Sequence, residues 1–167
     1  AHVAAGSGAR ESVAMSVSEK TELRFERIAE EHLPGILLIE QEAYPEPWTE
    51  GMFREEITHP RSQFVVVLIG GELIGYGGYW PLLDEAHITS VTIRDIHRGL
   101  GHGRRLLQHI LETAKTNGVL AATLEVRESN VRARSLYESM GFLVTGRRRR
   151  YYPTTDEDAL IMTKHLT

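Results

Sequence analysis

A glycine-rich stretch, Arg98-Gly99-Leu100-Gly101-His102-Gly103-Arg104-Arg105, joins an apolar, β-branched segment to a strongly amphipathic one. No other feature of the chain narrows its fold as much. Alternating glycines let a backbone turn where L side chains resist. After them, Leu106, Leu107, Ile110, Leu111 and Ala114 recur at helical spacing, so Gly103 to Asn117 is expected to be a helix with one buried stripe. Gly118 ends it as the residue past the C-cap. The turning loop exposes successive N–H groups, and the helix start adds its own unpaired N–H groups and positive dipole end. That combination is an anion site, and Arg98, Arg104 and Arg105 bring full charges to it. A pyrophosphate is the natural guest.

The usual dinucleotide fingerprint fits poorly. Arg104 stands where its third glycine belongs, and four residues separate Ile93 from Arg98, although Glu125 lies about where a ribose-binding acid would. A P-loop fails because no Gly-Lys-Ser/Thr closes the stretch. A ligand-free glycine turn is the plain alternative; three arginines and a following helix weigh against it.

The remaining pattern is an alternation of short strands and helices. Leu23 to Ile28 alternates as a strand, and a helix follows with Pro34 in its first turn and Leu33, Ile36, Leu37 and Glu40 in rhythm. After the stiff loop Tyr44-Pro45-Glu46-Pro47-Trp48, Thr49 caps a second helix that His59-Pro60 ends. Strands are expected over Phe64 to Ile69, Glu72 to Tyr79, with a Gly70-Gly71 turn between them, and His87 to Ile93. Ala121 to Val126 is another strand, and a helix runs from about Asn130 to Met140, closed by Gly141. Two strands, Phe142 to Arg149 and Ala159 to His165, finish the chain around a turn-rich loop. The order β-α-α-β-β-β-α-β-α-β-β implies one mixed sheet with helices on its faces.

With 167 residues, 41% of them hydrophobic, the chain suits a single domain over 21–167. Residues 1–20 are small and polar, and read as a flexible extension outside the fold, with Met15 a candidate native start. No apolar run approaches the roughly 18 residues of a membrane span. The absence of cysteine removes disulfides and a thiol nucleophile and accords with a cytoplasmic home. Charge is unevenly spread: ten acids against three Lys/Arg from Glu22 to Glu56, twelve Lys/Arg against five acids from Arg94 to Arg150. Either these charges only solvate surfaces, or the site has an anion end and a cation end.

The loop Arg98-Gly99-Leu100-Gly101-His102-Gly103 resembles the acetyl-CoA loop of GNAT acetyltransferases, Q/R-x-x-G-x-G/A. The likeness continues through Leu124-Glu125-Val126-Arg127, Ser129-Asn130, Leu136 to Phe142 and Arg149-Arg150-Tyr151-Tyr152-Pro153-Thr154-Thr155. This succession is similar to RimI-type enzymes, which acetylate the N-terminal alanine of a ribosomal protein. The resemblance implies an α/β GNAT fold: a central mixed, mostly antiparallel sheet of about seven strands flanked by about four helices. It also implies that Arg98 to Arg105 hold the pyrophosphate, that Val91, Thr92 and Ile93 bond the pantetheine arm, and that Asn130 and Tyr137 complete the cofactor side. Acetyl-CoA is then the cosubstrate.

Acetyl transfer to an amine makes chemical demands that these residues can meet. An α-ammonium, with pKa about 8, must lose a proton, and the oxyanion that develops needs a donor, which a strand N–H near Val91 to Ile93 can supply. The leaving thiolate benefits from an acid. Glu125, near the C-terminal end of a strand, is the candidate base, directly or through water; a simple pairing with Arg127 is the bland alternative. An ordinary glutamate at about 4.3 is a weak base, so burial or a relay is required. Tyr137, seven residues after Asn130 and on nearly the same helix face, is the candidate acid; packing beside Leu136 and Met140 is its alternative.

Glu46, Trp48, Tyr151 and Tyr152 are expected to wall the peptide side, with core packing an equal prospect for Trp48. A lysine side chain or small amine remains a competing acceptor, and a non-catalytic acyl-CoA sensor a third reading. Arg147 to Arg150 is short for a nucleic-acid surface in a net acidic chain, and His97, His102 and His109 lack metal-ligand spacing, so neither a nucleic-acid partner nor a metal is expected. The sequence leaves monomer and homodimer open.

Overall fold

The computed structural model describes the backbone of residues 2–4 and all of residues 22–166; most of the expected N-terminal extension lies outside the described residues. Eight strands are formed: β1 (His2–Ala4), β2 (Leu23–Arg27), β3 (Gln63–Ile69), β4 (Glu72–Leu82), β5 (Glu85–Ile93), β6 (Ala121–Arg127), β7 (Leu143–Tyr152) and β8 (Glu157–His165). Four α-helices accompany them: α1 (Leu33–Ala43), α2 (Glu50–Thr58), α3 (His102–Thr116) and α4 (Val131–Ser139). Seven strands form a continuous sheet in the order β2-β3-β4-β5-β6-β8-β7, and β1 adds to β5. Every neighbour along that path is antiparallel except β5 and β6, which run parallel.

Strand alternation divides the core between the two faces. On β3, Phe64, Val66 and Leu68 join Ile36, Ile39 and Phe53 of α1 and α2. Val65 and Val67 turn the other way, into the cluster that holds Leu106, Leu107, Ile110, Leu111 and Ala114 of α3. A side-chain period of two places the two sets on opposite faces. The predicted stripe of the long helix is therefore the stripe that is buried. Thr49 caps α2, its side chain accepting from the Met52 N–H. Gly118 and Gly141 adopt left-handed φ values of 83° and 96° just past their helices.

Most expected elements shift by only a residue or two. The larger differences are extensions, of β4 to Leu82 and of β7 to Tyr152, where the strand crosses a register irregularity between Arg148 and Tyr152. An irregularity of this kind hides the period-two signal on which strand reading depends. The strand at His2–Ala4 was not anticipated; it falls in the stretch that the sequence reading left outside the fold.

The α3 stripe makes a direct prediction. Leu107→Ala, at a site with no exposure, should lower unfolding free energy by about 2–5 kcal/mol in urea denaturation. Leu120→Ala, 57% exposed, should change it by no more than about 0.5 kcal/mol.

Candidate active site

The parallel pair at the middle of the sheet is short. β5 bonds β4 along its whole length, but meets β6 only through Glu85↔Ala121, Ala86↔Ala122 and His87↔Thr123. β6 pairs with β8 along its whole length on its other edge, while the β5 edge over Ser90–Thr92 receives β1. Glu125 and His87 lie where the two strands part.

Glu125 lies two residues past the last rung. Its neighbours Leu124 and Val126 belong to the α3-side core, so its side chain points to the face that carries α1 and α2. Its carboxylate is nearly buried, and the Nε2 of His87 lies 3.1 Å from its Oε1. Burial pushes against ionisation, but the hydrogen bond and charge of His87, with Arg148 farther out, outweigh it and hold the carboxyl below its ordinary value.

Tyr137 approaches from the other face. It is fully buried on α4, its ring 5.7 Å from that of Phe142. Its hydroxyl has no hydrogen-bond partner among the described residues. Burial first, and then the neighbouring Tyr152, push its titration far above the physiological range, so it remains a protonated donor. An unpaired buried hydroxyl costs roughly 1–3 kcal/mol, which makes it a position that a ligand atom would relieve. Tyr44, whose hydroxyl lies 2.6 Å from Thr92 Oγ1, is another phenol, partly buried and close enough to Tyr137 to be felt electrostatically.

The glycine loop has the expected shape. Gly99 and Gly101 adopt φ of 83° and 85°, and Gly101 is the N-cap of α3. A Cβ at Gly101 would meet nothing within 4 Å, so the loop's outer side is open. Its charges are deployed differently from expectation. Arg98 is mostly buried, its Nε donating to the Ile93 carbonyl (2.8 Å) and its Nη1 to Asp95 (3.2 Å), so it braces the strand end. Arg104 donates to Ser139 Oγ (2.8 Å), tying α3 to α4, and Arg105 is exposed. His102, half-buried, is held below its usual value by burial and by the charges of His97 and Arg105. Leu100 is exposed, whereas Val91 and Ile93 send their side chains into the core and can offer a ligand only backbone.

Two side chains have structural roles beside the ones expected of them. Asn130 is the N-cap of α4, and its Oδ1 accepts the Ala133 N–H (3.2 Å). Asparagine competes well for that position because its short side chain reaches the unpaired N–H groups. Trp48 belongs to the α1–α2 core, its ring 5.1 Å from Phe53 and 6.5 Å from Phe64. Its backbone N–H donates to Glu40, a fully buried acid that also accepts from Tyr76 (2.6 Å). Burial raises the Glu40 titration, and these two hydrogen bonds oppose the rise.

The other two walls meet at a residue that sequence reasoning assigned only a bland role. Arg127 donates to Glu46 (3.2 Å) on the α1–α2 loop and to Thr155 (2.7 Å) on the β7–β8 loop. Its guanidinium also lies 3.9 Å over the Tyr152 ring. Glu46 and Tyr152 are thus brought together by one cation, while Tyr151, packed edge-on against Tyr152, stays partly exposed. His87 was also missed, because a strand histidine gives no local sign of the acid that it will meet. Glu40 did leave a sign, an acid on an apolar helical stripe. Arg147 pairs with Glu128 and Asp158, as a solvated strand arginine would. Among the described residues no helix is long and apolar enough to cross a membrane.

Comparison with known proteins agrees with this geometry. Residues 33–142 match the model of the acetyltransferase (GNAT) family. The Escherichia coli (strain K12) ribosomal protein bS18-alanine N-acetyltransferase is 38% identical over 132 residues, 78% of this chain and 88% of its own. The N-alpha-acetyltransferase RimI of Mycobacterium tuberculosis is 37% identical over 123 residues, 71% of this chain and 76% of its own. The crystal structure of the E. coli ribosomal-protein-S18-alanine N-acetyltransferase superposes with a TM-score of 0.81 at 34% identity, covering 87% of this chain and 95% of that one.

The His87–Glu125 pair has a testable titration. Because the folded-state value of Glu125 is depressed, the pair's stabilisation is complete above the ordinary carboxylate value and is lost as pH falls through the depressed one. NMR titration of the Glu125 carboxyl should give a midpoint below 4.5. In His87→Ala, burial is left less opposed and the midpoint should rise.

Proposed function

The chain belongs to the GNAT acetyltransferase family, and from that premise we propose that it transfers the acetyl group of acetyl-CoA to the α-amine of a protein N-terminus, foremost an N-terminal alanine of a ribosomal protein. The observation that carries this reading is the parting of β5 and β6, with a buried carboxylate on one face and an unpaired phenol on the other. The named activity of relatives 37–38% identical supports the choice of acceptor.

The residues present fit acetyl-CoA. The Gly99–Gly103 loop and the start of α3 suit its pyrophosphate, with Arg104 and Arg105 nearby. The β5 edge over Val91–Ile93 suits the amides of its pantetheine arm, since the same edge already accepts the extended backbone of β1. β1 and that arm therefore compete for one edge. Acetyl-CoA supplies an activated acetyl group: the amine nitrogen bonds to the carbonyl carbon, the C–S bond breaks, and CoA leaves as a thiolate. Glu125 takes a proton from the incoming ammonium. Tyr137, fully protonated, donates to the departing sulfur. No cysteine is present to carry the acetyl group, so direct transfer in a ternary complex is the simpler course.

On the acceptor side, Glu46, Tyr151 and Tyr152 wall the entrance, and Arg127 holds Glu46 and Tyr152 in register. Trp48 supports that wall from the core. The same geometry would admit a lysine side chain if the entrance accepted a long, flexible amine, and that is the reading to be tested against.

Two peptides decide between acceptors: one with a free N-terminal alanine, the other with a blocked N-terminus and an internal lysine. With acetyl-CoA and mass spectrometry, acetylation of the alanine amine alone is expected; acetylation of lysine alone would overturn the N-terminal assignment. Glu125→Gln and Tyr137→Phe should each lower turnover by about 10²–10³-fold while keeping CoA affinity within about threefold. Arg127→Ala should raise the peptide KM by roughly tenfold, because one desolvated cation organises both walls.

A further inference from the structure

The chemistry above leaves one proton without a destination. Transfer from an ammonium to Glu125 returns no proton to solvent, and Glu125 is closed in by the sheet, with 6% of its side chain exposed. A carboxyl near its ordinary value of about 4.3 lies more than three pKa units below an α-amine of about 8. Proton transfer to the carboxylate alone is then unfavourable by over about a thousandfold. A group that takes the proton onward would remove that barrier.

His87 has the right position. It sits on the last β5–β6 rung, its Nε2 3.1 Å from Glu125 Oε1, and 37% of its side chain reaches solvent. The charged and titratable groups around the pair are Arg148 and Tyr151 of β7 and Tyr152 at that strand's end. Tyr151 and Tyr152 are pushed upward by burial, and Arg148 is a fixed cation, so none of the three accepts a proton from a carboxyl group at neutral pH. Imidazole is the side chain suited to that exchange, with one nitrogen for the carboxylate and another for water.

Resting on the acetyltransferase reading, we propose that His87 and Glu125 form a two-residue proton relay, in which Glu125 meets the substrate ammonium and His87 passes its proton to solvent. One ammonium proton moves through Glu125 to His87 Nε2, and the other ring nitrogen releases a proton to water. The neutral amine then forms the N–C bond as the C–S bond breaks. The thiolate takes its proton from Tyr137, which recovers one from the second N–H proton of the amine nitrogen. The sum is ammonium plus thioester to amide, thiol and one released proton. His87 touches no reacting atom in this scheme; it is a positioning and relay residue that works through Glu125.

The test uses the full chain and the free-alanine peptide, measuring turnover from pH 6 to 9, with acetyl-CoA binding followed by calorimetry. His87→Ala should lower kcat by about 10–100-fold near neutral pH and leave acetyl-CoA affinity unchanged. Added imidazole, a small diffusible acceptor, should restore at least a third of the activity with saturation. His87→Gln, which can still hydrogen-bond Glu125, should be as slow as His87→Ala. Wild-type kcat and pH profile in His87→Ala would overturn the relay, as would a His87→Gln protein with full activity, since hydrogen bonding alone would then suffice. A loss that imidazole fails to restore would also overturn it. A wild-type chain that acetylates no amine would instead overturn the underlying function, a result that the wild-type arm reads by itself.

Discussion

Three rungs of parallel pairing between β5 and β6, and no more, are the constraint on which the rest depends. A sheet normally satisfies its backbone groups by continuous pairing. Here β6 pairs with β8 along its whole length on one edge but parts from β5 on the other after His87↔Thr123, and the β5 edge over Ser90–Thr92 takes another extended chain. A continuous sheet would separate its two faces completely. Where the pairing is interrupted, Glu125 points towards α1 and α2, while Tyr137 is buried on α4 in the α3-side core. The glycine loop follows the other end of β5, so in the proposed reaction one rigid strand would serve both cofactor and acceptor.

Polar side chains brace the elements on both sides of the sheet. Arg98 ties the end of β5 to the following turn, and Arg104 ties α3 to α4. Glu40 gathers the Trp48 N–H and the Tyr76 hydroxyl beneath the α1–α2 loop. Glu56 does the same for Ser62 and Trp80 nearby. Buried acids with two donors each are costly to disturb, because removing one donor leaves a carboxylate oxygen without compensation. The acidic first half of the chain therefore has a structural, buried part in Glu40 and Glu56, and an ion-paired part in Glu46, which meets Arg127.

The titrations of the two candidate groups are pushed apart. Burial holds Tyr137 in its protonated form. The hydrogen bond and charge of His87, with Arg148, favour the charged form of Glu125 despite burial. Groups pushed in opposite directions within one cleft are the usual basis of acid and base assignments. In the proposed relay, the half-exposed His87 would carry the proton onward from the nearly buried Glu125.

The sequence by itself determined the order of elements from β2 onward, the buried stripe of α3, the helix stops at Gly118 and Gly141 and the left-handed turns of the glycine loop, because these follow from local periodicity and from glycine's tolerance of left-handed φ. It also nominated Glu125 and Tyr137 as candidates through family resemblance. It could not show that Arg98 would be spent on Ile93 and Asp95, that Asn130 would cap α4 or that Trp48 would pack on Phe53. In each case a side chain had two plausible uses, and the choice turned on neighbours far away in the chain. His87 meets Glu125 across 38 residues, and Arg127 meets Glu46 across 81. Such pairs exist only once strands from distant segments lie side by side, so the tertiary structure alone decided them.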